Sequence, residues 1–142
     1  VEWGELDYLI IDLPPGTGDA QLTMIQAVEI AGAVIVTTPQ DVAVLDAVRG
    51  VEMFVKLEVP IVGIVENMSY FALPNGERAH PFGEGGGQAT AKRYNVPLLA
   101  QIPLDERIRL GGDLGAPAAL SDEDFALPFH NIASQVAECL PI

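Results

Sequence analysis

Leu9 to Asp19 reads LIIDLPPGTGD: an apolar run carries Asp12 into a turn of glycine and proline that closes on a second acid, Asp19. The run Tyr8 to Asp12 is continuous rather than alternating, the pattern of a parallel strand buried on both faces. An acid at the C-terminal end of such a strand is the group that magnesium-phosphate chemistry uses. A hard Mg²⁺ ion is held through one or two carboxylates, with water and phosphate oxygens completing its shell. Gly16 and Gly18 have no Cβ to keep a phosphate from backbone amides. The same residues would also serve as a strand followed by a proline-stiffened turn, with Asp19 capping the next helix.

Downstream, strands and helices alternate, which predicts a doubly wound, parallel α/β sheet. Leu22, Ile25, Val28 and Ile30 follow a helical period that Gly32 breaks. Ala33 to Thr37 is the next strand. Pro39 and Asp41 open a helix on which Val44, Leu45, Val48, Val51 and Val55 form one apolar stripe, read as core. After Pro60, Ile61 to Glu66 is a third buried strand, and Asn67 stands at its end. Ligands of open α/β sheets bind beyond the carboxyl ends of the strands, so Asp12, Thr37, Thr38 and Asn67 converge on one rim. Asn67 could equally close a turn.

Met68 to Gly87 reads as a long loop, and His80 within it as an exposed loop histidine. Gly83, Gly85, Gly86 and Gly87 resemble the glycine-rich start of a helix more than a phosphate cradle, because no lysine follows. A helix over Gln88 to Tyr94 leads to a strand over Leu98 to Ile102. Pro103, Leu104 and Asp105 follow, Asp105 being placed to cap a helix through Arg109. Phe129, Ile132, Val136 and Leu140 space a final helix that packs on the sheet.

The chain has 142 residues, 49% of them hydrophobic, enough for one core of ordinary size. Its 20 acids against 7 bases give a net charge of −13, which disfavours nucleic acid and anionic membranes as partners. No apolar run reaches membrane-spanning length. The first residues lack the basic and apolar regions of a secretory signal, so the expected compartment is the cytoplasm. Cys139 is the sole cysteine and reads as a buried structural thiol.

Taken in order, DYLIIDLPPGTGD, GAVIVTTPQDVAVLDAVRGVEMF, VPIVGIVENMSYF and FGEGGGQATAKRYNVPLLAQIPLDERIR resemble the Mrp (ApbC-like) family of P-loop ATPases. That family is similar to the MinD and nitrogenase iron protein ATPases. The resemblance implies iron-sulfur cluster carriage driven by ATP with Mg²⁺, a homodimer, and iron-sulfur client proteins as partners. It implies that Asp12 orients Mg²⁺ through water, that Gly16 senses the γ-phosphate, and that Asp19 is a second polar group at the switch. Asn67 would read the adenine edge, with Pro103, Leu104 and Asp105 packing beside it.

Two departures qualify this picture. The cradle G-x-x-x-x-G-K-[ST] occurs nowhere, and the only lysines are Lys56 and Lys92. The expectation is therefore the C-terminal part of one Mrp-like ATPase domain, residues 1–142, with a P-loop NTPase-like sheet incomplete at its N-terminus and inactive alone. By the family's architecture the missing cradle strand lies between those ending at Asp12 and Thr37, and its loss leaves unpaired edges. The family also commonly carries a C-x-x-C pair shortly after N-M-S-Y-F. Here that place reads ALPNGER, Ala72 to Arg78, which puts the bridging cluster in doubt. A non-catalytic scaffold and a MinD-like regulatory ATPase are the alternatives. The second would use a basic amphipathic anchor that the C-terminal helix lacks.

Overall fold

The computed structural model describes residues 1–14 and 18–142. Its centre is a parallel sheet in the order β1-β2-β5: β1 (Ala33–Thr37), β2 (Ile61–Glu66) and β5 (Leu98–Gln101). Ala33 pairs with Ile61 and Thr37 with Glu66, so β1 and β2 end together. Between them runs α2 (Asp41–Lys56), with Asp41 in its first turn and Lys56 in its last, each complementing the helix dipole. Leu57 and then Glu58, at φ 58°, end it.

Helices cover both faces of the sheet, as the alternating pattern predicts. On one face Ile35 and Ile64 pack with Ala47, Val51 and Phe54 of α2 and Ala91 of α3 (Gly86–Tyr94). Ile25 joins them from α1 (Asp19–Ala27). On the other face Val62, Val65, Leu99 and Ile102 meet Phe129, Ile132, Val136 and Leu140, contributed by and just beyond α5 (Leu127–Cys139). Val51 and Ile64 are fully enclosed, and burying each side chain contributes about 1.5–3 kcal/mol.

Several expectations need correction. Tyr8 to Asp12 is not a strand; Ile10 is 81% exposed, and Leu9 and Ile11 are exposed as well. A strand needs a ladder, and the described residues offer this segment none. Tyr8 instead donates its hydroxyl to the Leu140 carbonyl at 2.6 Å. The outer edge of β1 likewise lacks a neighbour among the described residues, and Val34 and Val36 are exposed there. They line an open apolar groove of about 350 Å³ with Val65, Ile102, Phe129 and Ile132.

The stripe expected on α2 holds in part: Val51 is fully buried and Val44 and Val48 are half-buried, but Ala47 and Phe54 complete the buried face, whereas Leu45 and Val55 face out. Helix α1 stops at Ala27, before Val28. Gly18, not Asp19, is its N-cap, and among the described residues the Asp19 side chain makes no capping bond. The stretch expected as a long loop contains a hairpin of β3 (Phe71–Ala72) and β4 (Arg78–Ala79). His80 is half-buried, with Nδ1 3.1 Å from the Ser69 carbonyl oxygen. Cys139 is exposed rather than buried: it is the last residue of α5 and lines an open pocket with Asp7, Tyr8 and Ala31.

Candidate nucleotide-binding rim

The carboxyl ends of the three strands are laced by backbone hydrogen bonds. Asn67 donates its N–H to the Thr37 carbonyl at 2.7 Å, which joins the ends of β1 and β2. The Ile102 N–H donates to the Glu66 carbonyl at 2.8 Å, and the Ser69 N–H returns to the Ile102 carbonyl at 2.9 Å. One step further, the Leu104 N–H donates to the Tyr70 carbonyl at 2.7 Å. Thus Asn67 and the Pro103-Leu104 segment are placed against one another by main chain, which no single side-chain change removes.

The side chain of Asn67 is partly exposed, and its Oδ1 accepts the Met68 N–H at 2.9 Å. That bond sets the amide's orientation. A second Oδ1 lone pair and the two Nδ2 hydrogens make no other bond among the described residues, a donor-acceptor pair that matches a heterocycle edge. Met68 sits at φ 52°, a left-handed conformation uncommon outside glycine, immediately after the residue expected to read the base.

Asp105 follows in an extended backbone and caps α4 (Glu106–Asp113). Its carboxylate accepts the Arg107 N–H at 2.8 Å, so the cap runs through Arg107 rather than Arg109. The Arg107 guanidinium also grips it, with Nη2 2.6 Å from Oδ2. Arg107 is itself stacked 4.3 Å over Phe125. This hydrogen bond from Arg107 holds the Asp105 carboxyl below the usual carboxylate range, against the opposing effect of burial. With its oxygens so engaged, Asp105 shapes the turn, and the segment's remaining offering to a ligand is backbone and the half-exposed Leu104.

Asp12 and Asp19 are both exposed, and no described hydrogen bond or ion pair ties either side chain to the rim. Gly16 lies outside the described residues. Leu13 packs on the core cluster that includes Ile25, and the buried Gln21 of α1 donates to the Pro14 carbonyl. Thr38 faces Gln40 through its hydroxyl at 3.0 Å. The expected convergence therefore holds for Thr37 and Asn67, while the expected strand delivering Asp12 to the same rim is not formed.

Sequence reasoning passed over the buried Glu66 and Ser69 and the half-buried Gln101, which are hydrogen-bonded to one another at the end of β2. The signal was present: an acid closing the otherwise apolar run IVGIVE is costly to bury without a purpose.

A parallel α/β sheet with a polar rim at its strand ends is the arrangement in which open α/β folds bind their ligands. The chain belongs to the ParA family, whose model, described as NUBPL iron-transfer P-loop NTPase, matches residues 1–138. It is 56% identical over 141 residues to an iron-sulfur cluster carrier protein of Synechocystis, covering 96% of this chain and 40% of that protein. Among solved structures it is similar to a nucleotide-binding protein from Archaeoglobus fulgidus in complex with ADP, with TM-score 0.75 and 44% identity over 89% of this chain and 52% of that one. The septum site-determining protein MinD of Pyrococcus horikoshii, complexed with Mg-ADP, matches with TM-score 0.70 and 26% identity over 95% of this chain and 52% of that one. The chain thus spans less than half the length of the curated relatives it matches. Among the described residues, no helix is long and apolar enough to cross a membrane.

Proposed function

We propose that this chain is the C-terminal portion of a cytoplasmic, homodimeric ATPase that serves iron-sulfur cluster assembly. It supplies the switch segment and the adenine side of the nucleotide site. The observation that carries this reading is the rim itself, where Asn67 is bonded to Thr37 and backed by the 102–104 backbone. The fit is one-sided. The candidate base-side residues lie on the rim, whereas the lysine-bearing cradle for the phosphates is not in the sequence.

Asn67 holds the base edge through its amide, Pro103 and Leu104 flank it, and Asp105 fixes their turn. Asp12 is the carboxylate for Mg²⁺, which when bound neutralises charge on the phosphates. An exposed carboxylate with no protein partner among the described residues suits an ion that keeps most of its waters. Gly16 offers its backbone amide to the γ-phosphate, and loss of that contact after hydrolysis lets the LPPGTGD turn relax and alters subunit packing. Asp19 adds a second polar group at this switch.

The relatives support a role in cluster delivery to client proteins. The hairpin at the place where the family carries its C-x-x-C pair has no cysteine, so a family-type bridging cluster lacks those ligands in this chain. In the full-length protein, Asn67→Ala should weaken ADP binding about tenfold or more and erase preference over GDP, because a site built on paired polar edges discriminates through them. Titration calorimetry with both nucleotides measures this. Unchanged ADP affinity and selectivity would remove the base-reading role.

A further inference from the structure

Glu66 is completely buried at the end of the central strand, yet among the described residues no lysine, arginine or histidine pairs with it. Three donors surround it instead. Its Oε1 accepts the Ser69 hydroxyl at 2.6 Å and the Gln101 amide at 2.9 Å, and its Oε2 accepts the Gly87 N–H at 2.6 Å. These donors come from the turn after β2, the end of β5 and the first turn of α3. An amide in a helix's first turn adds the favourable end of the dipole to the bond.

A buried carboxylate is a poor choice for stability alone, since an apolar residue of similar size would pack the strand end without desolvation cost. The local sequence nevertheless accommodates it. A Cβ at Gly87 would stand 2.8 Å from the Glu66 Cβ and 3.0 Å from Oε2, so this approach of helix to strand requires glycine. Ser69 is as buried as Glu66, and between Glu66 and Ser69 lie only Asn67 and the left-handed Met68.

We propose that Glu66 is the positioning residue for base recognition. Its carboxylate locks the Asn67 turn, the β5 end that leads into Pro103-Leu104, and the start of α3 into one unit, and it sustains the unusual backbone at Met68. It acts through Asn67 and touches no ligand. This rests on the reading that Asn67 binds the adenine edge.

The test uses the full-length protein and three probes: ADP, GDP and magnesium tripolyphosphate, which has no base. Glu66→Ala should unfold cooperatively, bind ADP about tenfold more weakly with reduced preference over GDP, and bind tripolyphosphate as before. Glu66→Gln should restore ADP affinity to within about threefold, because its oxygen can take the Gly87 N–H while the serine hydroxyl and the Gln101 amide reorient. Equal loss for ADP and tripolyphosphate, or full ADP affinity in Glu66→Ala, overturns the proposal. If Glu66→Ala does not fold, Ser69→Ala is read instead, with an expected ADP loss of roughly threefold; no loss overturns it. Asn67→Ala is measured alongside: if it keeps wild-type selectivity, the base-reading role fails and the positioning role fails with it. If Asn67→Ala loses selectivity while the Glu66 and Ser69 variants keep it, only the positioning role fails.

Discussion

Asp12→Ala in the full-length protein is expected to abolish magnesium-dependent ATP hydrolysis, lowering turnover by about a hundredfold or more, while nucleotide binding without magnesium is retained. The size follows from what the carboxylate is asked to do. Fixing the ion that neutralises phosphate charge in the transition state is worth several kcal/mol, and each 1.4 kcal/mol or so is about tenfold in rate. Asp12 is exposed and has no hydrogen bond or ion pair among the described residues, so unfolding of the variant should match the parent. Phosphate release measured with and without Mg²⁺ checks both halves, and near-normal turnover would end the magnesium assignment.

Ile64→Ala should have the largest effect on stability. Ile64 is fully buried in the middle of the central strand, with α2 and α3 packed over it. Removing its branched side chain leaves a cavity where strand and helix ladders prevent collapse, a change that costs about 2–5 kcal/mol. Against a total of about 5–15 kcal/mol for a domain, the melting temperature should fall by roughly 10 °C. Because β2 ends in Glu66 and leads directly into Asn67, the rim should loosen together with the core. A calorimetric scan measures the fall, and a shift of only a degree or two would show that the two helices close the gap.

The strands over 33–37 and 61–66 were legible because continuous apolar runs bounded by Gly32, Pro60 and polar ends admit little else. The helices after Pro39 and after Gly85 announced themselves by their starting residues. Tyr8 to Asp12 was misread for a physical reason: its composition describes a central strand, but a strand exists only with neighbours, and this one has none among the described residues. The α2 stripe was right at Val51 and wrong at Leu45 and Val55, which are as apolar as the core residues; hydropathy alone cannot say which side meets a sheet.

At the site, Thr37 and Asn67 could be placed from topology, since parallel strands deliver their carboxyl ends together. Asp105 was recognised as a cap but given the wrong donor; the bond reaches Arg107, two residues on, as cap geometry favours. The cluster of Glu66, Ser69, Gly87 and Gln101 was hidden because its members are separated by up to 35 residues in the chain. Local pattern does not reveal a contact made only when β5 and α3 dock on β2.

We propose that this chain supplies the base side and switch of a nucleotide site whose phosphate cradle lies elsewhere in the full-length protein. The decisive experiment is to titrate Mg-ATP into the 142-residue chain and into the full-length protein while following thermal unfolding. A midpoint that rises with Mg-ATP concentration in the full-length protein and stays fixed in the 142-residue chain is the predicted result. An equal rise in both would contradict it, because the chain would then hold the nucleotide without the cradle.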